Sequence, residues 1–343
     1  MRIPRLARGL AASCFGVIPP RLLRTLAGVE LILPYYHVVS NDCVLHVKHL
    51  YQFKSVGEFK EDLDFLLAHY NPIGLGDLLD HIRRGHALPA RAFLLTFDDG
   101  FREMSDVVAP ILTRKGVPAT FFLNSAFIDN REMCYLNKAS LVVEECLQLK
   151  SERVREAVTL ILRSEGLAAG DIRDWIASLS YHGREIVDRI AVMVGLDFSE
   201  YLSEKKPYLT KDQTDGLIRQ GFTIGAHSID HPLYAELSVE DQVAQTVQSL
   251  ESVRQTFKLA YGAFAFPHSD RDVSIEFFRR VSETALMDIS FGTAGLVLDS
   301  TPNHFQRFSL ETPSEKARNI VAFQMVRRLA KGIGGQPQIA RAW

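Results

Sequence analysis

The chain has 343 residues, of which 47% are hydrophobic and 23% are charged, and its formal charge at pH 7 is −2. This length allows one large domain or two ordinary domains, with a sizeable buried core. The composition excludes disordered, collagen-like and coiled-coil proteins. The 39 basic residues are balanced by 41 acidic ones, which argues against a dedicated nucleic-acid-binding protein.

The cysteines and the hydropathy pattern bear on the cellular compartment in which the protein is expected. The four cysteines are scattered and form no CxxC pair, which is typical of free thiols under reducing conditions. No apolar run reaches the roughly 18 residues of a transmembrane helix. The arginine-rich N-terminus partly resembles a secretory signal, but no small-x-small cleavage site follows it. We therefore expect a cytoplasmic protein.

Both ends of the chain are basic. Residues 1–24 contain five arginines and no acidic residue, and residues 316–343 contain six basic residues and no acidic one. Two interpretations are open: solvated basic segments, or peripheral contact with an anionic membrane. The second interpretation predicts that the protein binds anionic vesicles in preference to neutral ones, and that this binding weakens as salt rises. We therefore separate residues 1–29 and a C-terminal helix and tail, 315–343, from a central domain over residues 30–314.

Predicted strands alternate with helices through the central domain. The first strand, Leu31–His37, ends in a histidine, and a capping box at Ser55 and Glu58 begins the first helix. Further apolar runs predict strands at residues 92–97, 119–123, 222–226, 263–266 and 289–293. Repeated strand–helix units favour a parallel sheet, either open or closed into a barrel. In such folds the functional residues lie at the C-terminal ends of the strands.

A helix-like segment interrupts this alternation. Residues from about 128 to 206 are rich in charge and poor in strand signals, and Val154, Val158 and Leu162 lie on one helical stripe. The pattern predicts a helical insertion. It would act either as a lid near the site or as a surface for a partner.

Two adjacent carboxylates, Asp98 and Asp99, end the strand at residues 92–97 and precede Gly100. Because neighbouring side chains leave a strand end in different directions, one carboxylate can bind a metal while the other acts as a base. Taken alone, this triplet is more often a simple turn.

Two histidines, His227 and His231, follow the strand at residues 222–226 with H-x3-H spacing. Both can face one point if the segment makes a helical turn, although structural histidines would explain the spacing equally well. With Asp99 they form a two-histidine, one-carboxylate set with positions left for water and substrate. Such an open site suits hydrolysis and favours zinc, cobalt, nickel or iron over magnesium.

A third strand end carries a candidate backbone donor. Pro267 has no N–H, so the next free donor after the strand at residues 263–266 is the amide of His268. This amide would either stabilise an oxyanion or belong to an ordinary strand exit.

These segments together resemble the polysaccharide deacetylase family, the NodB-homology group of carbohydrate esterase family 4. Residues Thr96–Gly100 match its TFDDG motif and residues His227–His231 match its H-[ST]-x-x-H motif. Weaker similarity extends over residues 117–122 and 210–225, so the resemblance covers roughly residues 30–127 and 207–311. It implies a distorted parallel (β/α) barrel, here with a helical insertion.

The resemblance also implies roles for individual residues. Asp98 would be the general base, Asp99, His227 and His231 would hold a divalent metal, and the His268 amide would help to stabilise the oxyanion. The implied reaction removes the N-acetyl group of an amino sugar in a polysaccharide or glycoconjugate and releases acetate. Zinc is the expected metal, and a carbohydrate or glycolipid is the expected partner. Alternatives are O-deacetylation, an inactive carbohydrate-binding relative, or a phosphate-ester hydrolase.

The sequence departs from the family pattern at two places. Ala265 stands where the family often has an arginine that orients the base, so another residue must hold Asp98. The usual C-terminal Leu-x-His, which supplies the general acid, is also missing. His37 ends the first strand, as in the circularly permuted branch of the family, and we predict that it is the acid. His304 as the acid, or a purely structural His37, are the alternatives.

Overall fold

The computed structural model describes residues 20–164, 172–332 and 338–342. The strands of this part of the chain are β1 (Leu31–Ile32), β2 (Pro34–Tyr36), β3 (Asn71–Pro72), β4 (Ala92–Phe93), β5 (Leu95–Phe97), β6 (Ala119–Leu123), β7 (Thr223–Ala226), β8 (Ala263–Ala265), β9 (Ile289–Gly292), β10 (Leu298–Asp299), β11 (His304–Gln306), β12 (Phe308–Ser309) and β13 (Gln338–Ile339).

The α-helices lie between and after these strands. They are α1 (Pro20–Ala27), α2 (Val56–His69), α3 (Leu75–Arg84), α4 (Ala109–Lys115), α5 (Tyr135–Gln148), α6 (Glu152–Ser164), α7 (Ile172–Ser178), α8 (Glu185–Val194), α9 (Phe198–Lys205), α10 (Lys211–Arg219), α11 (Val239–Phe257), α12 (Ile275–Glu283) and α13 (Ala317–Lys331). A π-helical turn, Met104–Val108, leads into α4.

Eight parallel strands form a nearly closed barrel in the order β11-β9-β8-β7-β6-β5-β2-β12. Only Arg307 separates β11 from β12. Because β11 pairs with β9 and β12 pairs with β2, this one segment contacts both edges of the sheet. The predicted distorted parallel (β/α) barrel is confirmed.

The barrel strands are short and buried, as expected for parallel strands that are covered on both faces. All five residues of β6 are buried. Each of the predicted strands 31–37 and 92–97 is divided in two, because the chain passes from a small sheet of β1, β4 and β3 into the barrel at Leu33 and Leu94. Both leucines are buried, so their hydropathy gave no sign of the break.

The first helix of the barrel layer begins where its capping box predicts. The Ser55 hydroxyl accepts a hydrogen bond from the Glu58 N–H at 3.3 Å, and the Glu58 carboxylate accepts one from the Ser55 N–H at 2.9 Å. These bonds satisfy N–H groups that the first turn of α2 cannot pair internally. The helix then buries Phe59, Leu63 and Leu66 in the core.

The two terminal helices belong to the same core as the barrel. Helix α13 buries Ile320, Val321 and Met325 in the barrel core, and the neighbouring α1 adds Leu23. The domain boundaries predicted at residues 30 and 315 therefore cut through one continuous core. The amphipathic pattern of α13 is used for packing on the barrel rather than for an external surface.

Membrane contact stays a prediction. In α1, Leu22 and Leu26 are exposed by 51% and 61%, one helical turn apart. Most of the basic N-terminal segment, residues 1–19, lies outside the described residues. Among the described helices, none combines the length and the hydrophobicity that a transmembrane span needs.

The predicted insertion, residues 128–206, contains helices α5 to α9. They have their own apolar cluster, which includes Val142, Trp175 and Ile190, together with Val158 and Leu162 of the predicted stripe. The insertion leaves the barrel after β6 and returns before β7. Both of its connections therefore lie on the path between two adjacent barrel strands.

Candidate active site

The segments that the sequence marked as functional meet at the C-terminal end of the barrel. His37 follows β2, Asp98 and Asp99 follow β5, His231 lies in the loop after β7, and His268 follows β8. All five line one cavity of about 310 Å³. The insertion contributes Cys134, Leu136, Asn137 and Ile176 to the same cavity, so it covers part of the site.

Asp99, His227 and His231 converge as a metal-ligand set would. Asp99 Oδ1 lies 3.4 Å from His227 Nε2 and 3.1 Å from His231 Nε2. Two ligands of a tetrahedral zinc ion, each about 2.0–2.1 Å from it, are roughly 3.3 Å apart. Asp99 Oδ1 is buried and accepts no hydrogen bond within the described part of the chain. The donor set therefore fits a divalent ion.

The orientation of His227 and the ionisation of Asp99 also suit a metal. His227 Nδ1 lies 2.8 Å from the Ala265 carbonyl oxygen, so an N–H at Nδ1 leaves the Nε2 lone pair facing Asp99. Burial raises the pKa of Asp99, but the adjacent His231 and His227 outweigh it and hold this pKa well below its usual range. Asp99 is therefore a carboxylate.

The backbone is strained at the residues that form the site. Asp99, His231 and His268 have positive φ angles of 69°, 66° and 54°, in a region that non-glycine residues rarely occupy. Such outliers cluster at functional sites. Gly100 has φ 66°, and a Cβ there would lie 2.8 Å from the Leu123 side chain, so the motif needs glycine at this position.

Asp98 is held by Arg307, which comes from the segment that closes the barrel. Arg307 donates two parallel hydrogen bonds to the Asp98 carboxylate, of 2.7 and 2.8 Å, and a third of 2.9 Å to the Thr96 hydroxyl. Both charged side chains are buried. Burial alone would raise the pKa of Asp98, but the guanidinium outweighs it and lowers this pKa below its ordinary value.

Arg307 holds Asp98 in place of the arginine that the family often has at the position of Ala265. Its position, between β11 and β12, lies 209 residues from Asp98. The only signal in the sequence is an arginine between the apolar residues Phe305 and Phe308. A charged residue inside a buried strand needs a buried partner of opposite charge. That signal could have identified Arg307 but could not have named its partner.

His37 is fixed by a second residue that the sequence did not single out, Glu311. Its carboxylate lies 2.5 Å from His37 Nδ1 and accepts hydrogen bonds from the backbone N–H groups of His37 and Val38, at 2.9 and 2.7 Å. Burial lowers the pKa of the imidazole, but the Glu311 carboxylate outweighs it and raises the pKa of His37 to about 9. The contact with Glu311 therefore favours the protonated imidazole.

The alternative acid, His304, lies in a different cluster. Its Nε2 is 3.0 Å from Asp270 and its Nδ1 is 2.8 Å from the Ser290 hydroxyl. His304 does not line the cavity that holds Asp98 and Asp99. Arg341 donates hydrogen bonds to both Asp270 and Asp299, at 2.5 and 2.7 Å, so these carboxylates already share a cationic partner. His304 thus lies in a buried polar cluster apart from Asp98 and Asp99.

The His268 amide is free for a ligand. Within the described residues its N–H donates no hydrogen bond, whereas its carbonyl oxygen accepts one of 2.9 Å from the Thr293 hydroxyl. The His268 ring packs edge-on against the ring of His231, with 4.5 Å between ring centroids. This contact places the residue beside the metal-ligand set, as a role in oxyanion stabilisation requires.

Several solved structures share this fold. The chain resembles the Streptococcus pyogenes deacetylase PplD in complex with acetate, with a TM-score of 0.53, 12% identity, and coverage of 85% of this chain and 97% of that one. For IcaB from Ammonifex degensii the TM-score is 0.52 and the identity 15%, with coverage of 86% of this chain and 97% of that one. For a de-N-acetylase from Aggregatibacter actinomycetemcomitans the TM-score is 0.51 and the identity 14%, with coverage of 82% of this chain and 94% of that one. At these identities the similarity shows the fold.

The sequence itself gives the family. A search of the curated proteins found no match. The family model for polysaccharide deacetylases, however, matches residues 85–283, which is more than half of the chain and includes both motifs. The matched segment supplies Asp98, Asp99, His227 and His231, and these residues converge at the end of a deacetylase-type barrel. The chain therefore belongs to the polysaccharide deacetylase family, whose members are hydrolases that remove acetyl groups from amino-sugar polymers.

Proposed function

We propose that the protein is a metal-dependent deacetylase that hydrolyses the N-acetyl group of an amino sugar and releases acetate. One observation carries the proposal. A buried carboxylate, a two-histidine, one-carboxylate set and an imidazole held by a carboxylate meet at one cavity. These are the base, the metal ligands and the acid that amide hydrolysis needs.

The mechanism follows from the position of each group. A divalent ion held by Asp99, His227 and His231 would acidify a water molecule and polarise the acetamide carbonyl. Asp98 accepts the proton of the attacking water, and Arg307 keeps its carboxylate ionised and oriented. The His268 N–H donates to the oxyanion that develops on the carbonyl oxygen.

The second half of the reaction falls to His37. The tetrahedral intermediate can expel the amine only when its nitrogen is protonated. His37 donates this proton, and the Glu311 carboxylate stabilises the imidazolium until then. An ester would need the acid less, because an alkoxide leaves more readily. The carboxylate-held imidazole therefore favours N-deacetylation over O-deacetylation.

The donor set favours zinc among the divalent ions. Two imidazoles and one carboxylate with remaining open positions are typical of catalytic zinc, while cobalt, nickel and iron accept the same ligands. Magnesium prefers oxygen ligands only. The substrate chemistry is that of a carbohydrate or glycolipid that carries an acetamide.

An acetate-release assay tests the proposal. The protein is stripped with a chelator, reloaded with zinc, and incubated with N-acetylated chitin oligosaccharides, a lipid-linked N-acetyl sugar and a nucleotide-linked N-acetyl sugar. We expect acetate from at least one substrate after reloading and none from the stripped protein. Stoichiometric zinc without acetate from any substrate would instead indicate an inactive carbohydrate-binding relative.

The division of labour between the two carboxylates gives a separate prediction. Asp98→Asn is expected to keep the metal but to lose at least about 10²-fold in kcat, which is the usual contribution of a general base. Metal content per chain and acetate release are measured on the same preparation. If Asp98→Asn loses its metal, then the roles of Asp98 and Asp99 have been reversed.

A further inference from the structure

One side of the catalytic cavity is formed by two segments of the chain. The long loop after β2 contributes Leu50 and Tyr51 to the lining, and the start of α5 contributes Leu136 and Asn137. We call residues 44–51 together with α5 the loop–helix wall. Its apolar side chains share one buried cluster, which includes Val44, Val47 and Leu141.

Polar contacts join the two parts of this wall. Glu144 of α5 accepts hydrogen bonds of 2.9 and 2.7 Å from Lys48 and lies 2.7 Å from His49 Nε2. The Ser140 hydroxyl accepts a bond of 3.2 Å from the His49 N–H and donates one of 2.8 Å to the Leu45 carbonyl. These hydrogen bonds join the loop and the helix along one side of the catalytic cavity.

A second cavity adjoins the catalytic cavity. Tyr35 and Thr293 line both the catalytic cavity and a second cavity of about 210 Å³. The lining of the second cavity includes the polar side chains of Ser309, Thr312, Gln324 and Arg327 and, besides Tyr35, the aromatic rings of Phe308 and Phe323. The two cavities therefore adjoin at Tyr35 and Thr293, which we call the Tyr35–Thr293 rim.

Each cavity contains a buried polar atom without a partner. Tyr51 Oη lies on the catalytic cavity, Gln324 Oε1 lies on the second cavity, and neither makes a hydrogen bond within the described residues. Buried polar groups are almost always hydrogen-bonded in folded proteins. Sugar hydroxyl groups are both donors and acceptors, so they could satisfy both atoms, and Phe323 offers a flat apolar surface to a sugar ring.

We infer that the protein deacetylates the terminal residue of an oligosaccharide rather than the internal residues of a polymer. The N-acetylated end sugar occupies the catalytic cavity, and the next sugar crosses the Tyr35–Thr293 rim into the second cavity. The loop–helix wall blocks the extension of the glycan on the other side. This inference rests on the proposed function and adds the substrate's position and minimum length.

Mapping of the product tests the inference. A pentasaccharide of N-acetylglucosamine is incubated with the zinc-loaded protein, and the deacetylated position is read by fragmentation mass spectrometry. We expect loss of acetate from one terminal residue only. Loss of acetate from internal residues would overturn the inference and leave the proposed function intact. Release of acetate from a nucleotide-linked sugar, but not from the pentasaccharide, would have the same meaning. No acetate from any substrate class would refute the proposed function itself.

A variant of the second cavity gives an independent readout. We expect Gln324→Ala to raise the KM for the disaccharide about tenfold more than the KM for the monosaccharide, with unchanged metal content. Gln220→Ala, on the exposed end of α10, is the matched control and should leave the ratio of the two KM values unchanged. An equal change for both sugars in Gln324→Ala, or no change, would rule out a second sugar site in this cavity.

Discussion

His227→Ala is expected to lose bound divalent metal and hydrolytic activity together. His227 Nε2 and His231 Nε2 both face Asp99 Oδ1 at metal-ligand separations, and two remaining donors would hold the ion weakly. Activity should fall to the background of the assay, because both the attacking water and the carbonyl depend on the ion. Asp99→Ala should behave in the same way. Metal per chain and acetate release are the two measurements.

A matched histidine provides the control for this experiment. His86 is exposed, lies just after α3 and does not line the catalytic cavity. His86→Ala should keep both metal and activity, which separates loss of a ligand from a general effect of removing an imidazole. A His227→Ala protein with stoichiometric metal at unchanged affinity would mean that these residues are not the ligands.

The convergence of Asp99, His227 and His231 could be predicted because these residues are close in sequence to strong local signals. Asp99 directly follows a continuous apolar strand, and His227 and His231 follow another. Parallel strands of one barrel bring their C-terminal ends to the same edge, so two strand ends suffice to place these three candidate ligands together. The local sequence pattern and the barrel topology therefore both predict that these three residues lie close together.

Arg307 and Glu311 could not be predicted in this way. They contact Asp98 and His37 across 209 and 274 residues, and no local pattern identifies a partner at such a separation. Their position depends on the closure of the barrel by residues 304–309, whose two short strands carry a charged residue between them. A buried arginine breaks the apolar run by which a strand is recognised.

The C-terminal helix α13 and His304 show that a sequence pattern can identify an element or a residue type without identifying what it contacts. The apolar stripe correctly indicated a helix at α13, but the period of a helix does not say what covers its apolar face, and the barrel covers it. In the same way, a histidine near the C-terminus matched the residue type of a general acid. His304 instead belongs to the buried cluster around Asp270 and Arg341.

Removal of His37 is expected to impair amide hydrolysis by about 10²–10⁴-fold, the usual range for a general acid. His37→Ala should keep its metal, because His37 is not among the converging ligands. Activated esters should be affected far less than the acetamide, since their leaving groups depart without a proton. The ratio of amide to ester turnover therefore distinguishes loss of the acid from a loss of folding or of metal.

The pH profile tests the same assignment through Glu311. A general acid works in its protonated form, so activity should be lost as pH rises through the pKa of His37. Glu311 raises this pKa to about 9, whereas the positive charge of a bound divalent ion would lower it. The alkaline limb of the pH–activity profile of the metal-loaded enzyme should therefore lie at or below about pH 9. In Glu311→Gln the largest of the effects that raise this pKa is removed, and burial is opposed only by the weaker effects of Asp98 and Asp99. The limb should then move towards or below the ordinary imidazole value of 6.5, with the metal retained. An alkaline limb that does not move in Glu311→Gln, combined with full amide turnover in His37→Ala, would remove His37 from the mechanism.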